Sequence, residues 1–114
     1  MKPVVERFIT YVKFDTQSDP KSDTCPSTAK QLELARYLEK ELKELGLDDV
    51  SLDENGYVMA TLKGNVDQEV PTVGFIAHMD TSDALTGANV NPKIVKFTGD
   101  DIVLNEELDV VLSP

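Results

Sequence analysis

Thr72-Val73-Gly74-Phe75-Ile76-Ala77, followed directly by His78-Met79-Asp80, decides how this 114-residue chain is read. The first six residues carry no charge and do not alternate apolar with polar. A half-buried strand alternates, whereas a short continuous apolar run fits a central strand covered on both faces, as in a parallel sheet. Such a strand needs a layer against each face. His78 falls at its carboxyl end, where open α/β sheets collect their ligands.

Upstream, two helices are expected. Val5, Phe8, Ile9 and Val12 recur at i, i+3, i+4 and i+7, and Pro3 suits a first helical turn, so a helix is predicted over about Pro3 to Phe14. Asp15 to Pro26 is polar and contains two prolines, the signature of a loop. Thr28 stands three residues before Gln31, which is capping-box spacing. Leu32, Ala35, Leu38, Leu42 and Leu45 then repeat at helical spacing, Glu39 and Lys43 form a favourable i, i+4 pair, and Gly46 sits where a left-handed cap belongs. Val50 and Leu52 suggest a strand, Asn55-Gly56 a tight turn, and Tyr57 to Leu62 the returning strand. Gly64 to Pro71 reads as an acidic loop.

Beyond the apolar run, Gly87 to Pro92 reads as loop, and Lys93 to Phe97 and Ile102 to Leu104 as two short strands around Gly99-Asp100. Phe75 and Phe97 are expected in the core. Glu6, Glu33, Glu39, Glu41 and Glu44 are expected on solvated helix faces, Asp100-Asp101 in a turn, Asn89 in a turn, and Asp83 as polar lining near His78. Both helices precede residue 50, and none follows the apolar run, although a parallel sheet normally continues through a crossover helix. The expectation is a part of a larger α/β domain. A homo-oligomer that covers the open face is the competing arrangement.

Composition narrows the function. The formal net charge is -10, with 40% hydrophobic and 28% charged residues, ordinary for a globular protein. Phosphate backbones and anionic membrane surfaces need clustered Lys and Arg, so no nucleic acid and no membrane partner is expected. Met1-Lys2-Pro3 leads into a charged amphipathic stretch without the apolar core of a signal peptide, and no apolar run approaches the roughly 20 residues of a membrane span. The single cysteine, Cys25, cannot form an internal disulfide. A cytoplasmic protein is expected, with Cys25 a bland thiol.

His78 is the sole histidine, so any histidine-dependent chemistry must use it. A neutral imidazole is a good zinc ligand, and a nearby carboxylate can accept its other N–H and fix the ring. Residues i and i+2 of an extended chain share a face, so His78 and Asp80 can act together. Taken alone, H-x-D is a weak signal and reads first as an ordinary hydrogen-bonded turn. One histidine also cannot complete a catalytic zinc site, which wants about three protein ligands and a water.

The segment Gly74-Phe75-Ile76-Ala77-His78-Met79-Asp80-Thr81-Ser82 resembles the first metal motif of the M20 metallopeptidases. Further stretches resemble the same family in order along the chain: Glu6-Arg7-Phe8, Asp15-Thr16-Gln17-Ser18, Pro26-Ser27-Thr28, Met59-Ala60-Thr61-Leu62, Gly87-Ala88-Asn89-Val90-Asn91-Pro92 and Leu112-Ser113-Pro114. Of these, Asp15–Ser18 and Gly87–Pro92 are the more particular to its bacterial tripeptide-cleaving aminopeptidases. The resemblance implies an α/β fold, here a partial three-layer sandwich with a mixed, mostly parallel sheet and two N-terminal helices. Residues 1–114 would form the N-terminal part of the catalytic domain, without the lid or dimerisation domain. It implies a hydrolase with two zinc ions that removes the N-terminal residue from tripeptides, His78 as metal ligand and Asp80 as catalytic carboxylate. The downstream ligands, the general-base glutamate and the remainder of the catalytic domain would be missing, leaving this segment inactive alone. Another M20 activity, a dipeptidase or an N-acyl amino-acid deacylase, fits the motif equally well, and a non-catalytic acidic interaction module is the alternative outside the family.

Overall fold

Residues 3–114 are described by the computed structural model. Met1 and Lys2 lie outside the described residues. The element order is α1 (Val4–Tyr11), α2 (Gln31–Glu44), β1 (Asp48–Leu52), β2 (Val58–Thr61), β3 (Ile102–Asn105) and β4 (Val110–Leu112). The chain is thus a mixture of helix and strand.

α2 matches its expected extent closely, and its end follows the sequence signal. Gly46 adopts φ +78°, the left-handed conformation that glycine enters without a Cβ penalty. The Leu47 N–H then reaches the Leu42 carbonyl at 3.2 Å and the Gly46 N–H the Lys43 carbonyl at 3.0 Å, which satisfies the last turn. Glu39 and Lys43 pair at 2.6 Å. The start differs from expectation. Thr28 donates its hydroxyl to the Gln17 carbonyl at 2.9 Å, and the Gln31 side-chain Nε2 donates to Ser27 Oγ at 3.0 Å, so the Thr28–Gln31 capping box is not made. A tertiary acceptor has taken the threonine from its local role.

The two helices meet through side chains that the apolar periodicity of α1 does not select. Val5 and Phe8 remain exposed at 51% and 63%, whereas Arg7, Tyr11 and Phe14, at i, i+4 and i+7, face α2. Tyr37 of α2 takes Tyr11 edge-on at 6.0 Å between ring centroids and Phe14 at 5.3 Å. The Tyr11 hydroxyl donates to the Glu41 carboxylate, and Arg7 Nε lies 3.7 Å from the other Glu41 oxygen. Glu41 is therefore buried, at 7% exposure, against the expectation of a solvated surface residue; the Tyr11 hydroxyl gives it a hydrogen bond and Arg7 an opposite charge.

β1 and β2 form an antiparallel hairpin in register Asp48↔Thr61, Ser51↔Met59 and Leu52↔Val58, with an irregularity between Asp48 and Ser51. Asn55-Gly56 lies in the turn as expected. Asp53 organises that turn: its Oδ1 accepts the Asn55 and Tyr57 amides at 3.0 and 2.8 Å. The hairpin packs on α2, whose Leu34 and Ala35 are the buried apolar residues.

The expected mostly parallel sandwich is not what the described residues form. Their two sheets are separate two-stranded antiparallel pairs, and their one parallel pairing is an isolated bridge between Gln17 and Thr81. Thr72 to Ala77 belongs to neither sheet, because no strand of the described residues runs beside it. Phe75 and Ile76 are 95% and 101% exposed, so Phe75 is not core. Phe97 is 60% exposed, and Lys93–Phe97 forms no strand. The partner of Ile102–Asn105 is instead Val110–Leu112, in register Ile102↔Leu112 and Val103↔Val111. The intervening turn is closed by Asn105 Oδ1, which accepts the Leu108 amide at 3.0 Å. The radius of gyration is 17.7 Å, against about 13 Å for a compact domain of this length.

The Tyr11–Glu41 contact leads to an expected pH response. Burial and the Glu41 carboxylate push the Tyr11 phenol up to about 12 from 10.0. A raised folded-state value favours the protonated phenol, so its contribution is fully present below pH 10 and lost as the pH rises toward 12. Helix content followed by circular dichroism should decline over that window in the wild-type chain. Tyr11→Phe should lower unfolding stability by about 1–2 kcal/mol near neutral pH and remove the alkaline decline.

Candidate metal centre

The four residues Asp15-Thr16-Gln17-Ser18, read as loop from sequence, form a clamp around the segment that follows Asp80. The Thr81 amide donates to the Thr16 carbonyl at 3.1 Å, and the Ser18 amide and hydroxyl both donate to the Thr81 carbonyl at 2.9 Å. The Gln17 side-chain amide reaches further along, to the carbonyls of Asp83 at 3.3 Å and Leu85 at 3.0 Å. Asp15 closes the far end. Its Oδ1 sits 2.7 Å from where a Cβ on Gly87 would stand, so only glycine permits this approach. Successive alternate residues, Thr81, Asp83, Leu85 and Gly87, are thus all engaged by one short segment.

The clamp is in turn fixed to the residues that lead into α2. Lys30 forms an ion pair with Asp15 at 2.9 Å, and Thr28 holds the Gln17 carbonyl. Thr16 is 2% exposed. The Lys30 ammonium, with the Gln17 amide on Oδ1, holds the Asp15 carboxyl below the usual carboxylate range. Periodicity and capping signals point to none of these partners except Thr28, and that for a helix cap; Asp15–Ser18 is marked only by the family resemblance. A run of four polar loop residues has no periodicity from which a distant partner can be inferred.

His78 and Asp80 precede the clamped segment immediately. His78 Nδ1 lies 2.9 Å from Asp80 Oδ1, and the imidazole is 85% exposed. A carboxylate beside Nδ1 favours the proton on that nitrogen, which makes Nε2 of this exposed ring the candidate metal-binding atom. Among the described residues, no group of three or more His, Cys, Asp or Glu side chains is arranged to hold a metal ion. The pair matches the donor chemistry of one arm of a zinc site and does not complete one.

The remaining sequence candidates are placed elsewhere or have local roles. Asp83 contributes its carbonyl to Gln17. Asn89 adopts φ +57°, in keeping with a turn. Asp100 accepts the Thr98 hydroxyl at 2.8 Å. Cys25 is free and exposed, with Sγ 3.8 Å from the Asn55 carbonyl.

No family model matches the chain. Curated relatives do. A Clostridium botulinum (strain Hall) protein named Peptidase T is 63% identical over 113 residues, 98% of this chain and 28% of the relative. A Geobacillus species and Geobacillus kaustophilus have proteins of the same name, 60% and 59% identical over 112 residues, covering 97% of this chain and 27% of each relative. The chain is a homologue of peptidase T. It spans just over a quarter of the length of these curated relatives. The two stretches marked from sequence as the more particular ones, Asp15–Ser18 and Gly87–Pro92, are the ones that meet in the clamp, through Asp15 and Gly87. The peptidase T resemblance read from sequence therefore coincides with a physical contact.

The depressed Asp15 value gives the clamp a defined acid limit. A lowered folded-state value means that this carboxylate stabilises the fold above the ordinary carboxylate range, and that the contribution is lost as pH falls through the depressed value. Amide resonances of Gln17 and Gly87 should hold their positions as pH falls through the ordinary carboxylate range and move only below it. In Asp15→Asn they should start displaced and show no such transition.

Proposed function

We propose that this chain is the N-terminal part of the catalytic domain of a zinc-dependent aminopeptidase that releases the N-terminal residue from tripeptides. The observation that carries the reading is the 2.9 Å contact of Asp80 with His78 Nδ1, which leaves Nε2 free in solvent, in a chain about 60% identical to proteins named Peptidase T. On this reading His78 ligates one of two zinc ions through Nε2, and Asp80 orients the ring. Bound zinc supplies Lewis-acid polarisation of the scissile carbonyl and a water acidic enough to attack it at neutral pH. Further ligands and the general base come from residues beyond this segment, since a catalytic zinc takes about three protein ligands.

The exposed apolar run Thr72–Ala77 fits the same reading. It becomes a central strand of a mostly parallel three-layer sandwich once the remainder of the catalytic domain lays strands beside it and helices over it. The acidic composition and the lone cysteine suit the cytoplasm, and no helix of the described residues is long and apolar enough to cross a membrane. The partners implied are tripeptides and the rest of the same domain.

Two measurements on this chain test the reading. Zinc titration monitored by nitrogen NMR of the single histidine should shift Nε2 and leave Nδ1 nearly unmoved; an unresponsive ring would remove the metal-ligand assignment. The chain alone should hydrolyse tripeptides no faster than the buffer blank. Turnover abolished by a chelator and by His78→Ala would show instead that this segment is catalytically sufficient.

A further inference from the structure

We propose that Gln17 is a positioning residue for the His78–Asp80 pair, acting through the loop from Thr81 to Gly87. The inference rests on the zinc-ligand reading above for its functional meaning, but its geometry stands without it. The run Thr72–Ala77 on the amino-terminal side of His78 has no strand partner among the described residues, and its side chains are largely in solvent. Nothing on that side fixes the height or direction of the imidazole. The fixed points all lie on the carboxyl-terminal side. Thr81, the residue after Asp80, is bonded through both its amide and its carbonyl to Thr16 and Ser18. Those bonds alone would hold one point and leave the following loop free to pivot. Gln17 prevents the pivot. Its side-chain amide spans from the bridge to the carbonyls of Asp83 and Leu85, so a second and third point of the loop are fixed by the same residue. The Gln17 main chain is itself held at both ends, its amide by Asp15 Oδ1 at 3.2 Å and its carbonyl by Thr28 at 2.9 Å. The glutamine is therefore a strut between the turn that leads into α2 and the loop behind the metal motif.

A primary amide suits this task for a chemical reason. Both loop acceptors are carbonyl oxygens, and the NH₂ group offers two donors. Glutamate in the same place would set a carboxylate against two carbonyls. The consequence for His78 is a restricted range of Asp80 positions, hence a persistent contact from Asp80 to Nδ1 and an imidazole held in the Nδ1–H tautomer with Nε2 open.

The experiment compares the wild-type chain with Gln17→Ala, Gln17→Glu and Gly87→Ala, each labelled with nitrogen-15 and measured in three ways. The first is amide hydrogen exchange at Ser18 and Thr81, with Leu34 and Ala35 of α2 as the internal control for folding. The second is the His78 tautomer read from its ring nitrogen shifts above neutral pH. The third is titration with zinc alone. In Gln17→Ala and Gln17→Glu, exchange at Ser18 and Thr81 should rise at least about tenfold with α2 unchanged, the ring should move toward the Nε2–H form, and any zinc response should weaken. Gly87→Ala, which forces Asp15 Oδ1 away from the opposite end of the same clamp and so loosens its hold on the Gln17 main-chain amide, should produce the same tautomer shift with the Gln17 side chain intact. A tautomer that stays in the wild-type state while exchange rises would overturn the proposal, because Gln17 would then steady the loop without positioning the pair. Global loss of α2 protection in both Gln17 variants transfers the decision to Gly87→Ala, whose unchanged tautomer also overturns it. A wild-type chain with no zinc response but with the predicted tautomer shift in the variants would support the strut and reject the zinc reading.

Discussion

The parallel contact between Thr16–Ser18 and Thr81 joins the first part of the chain to the segment beyond the apolar run. The Ser18 hydroxyl and the Thr81 carbonyl are 63 residues apart in sequence. Closing so long a loop costs conformational entropy, although the cost grows only slowly with length. One bond would not hold it, since a single hydrogen bond contributes about 1 kcal/mol net. The structure answers with a cluster: two backbone bonds at Thr81, the Gln17 side chain, the Asp15 approach to Gly87, and the Lys30 and Thr28 links back to α2. The bonds share the ordering of the same few residues, so the entropy of fixing them is spread over all.

Outside that contact the chain has little to close it. Among the described residues, Leu34 and Ala35 are the buried apolar ones, and both belong to α2. A two-stranded hairpin is marginal alone in water, and the β1–β2 pair is supported by lying on α2. The apolar run Thr72–Ala77 is longer than either strand of the β3–β4 hairpin, yet among the described residues it remains unpaired. Its hydrophobicity creates a demand for covering layers without supplying them. Exposed backbone and apolar side chains along such a segment make it a template for another strand.

The histidine and its carboxylate are the local part of the candidate site. Their contact spans two residues, so extended geometry brings the two side chains within reach of each other. Holding the pair in one direction is a different requirement. That is met from the carboxyl-terminal side by polar residues of a loop that has no hydrophobic pattern at all. The two levels meet at Thr81, one residue after Asp80.

Much of the architecture was legible wherever a signal acts over a few residues. The helical repeat from Leu32 to Leu45, the Gly46 cap, the Glu39–Lys43 pair, the Asn55-Gly56 turn and the His78–Asp80 contact are all set within about one or two turns of chain, and the sequence determined each. What it could not set was which groups meet across long separations. Glu41 went inside because Tyr11 and Arg7 arrive from another helix, Thr28 left its capping role because the Gln17 carbonyl came within reach, and Phe75 stayed in solvent because no strand came beside it. Periodicity records that a residue is apolar and on a face. Only tertiary structure decides whether another surface comes to cover that face, because burial belongs to a pair of surfaces and the sequence of one segment describes only one of them.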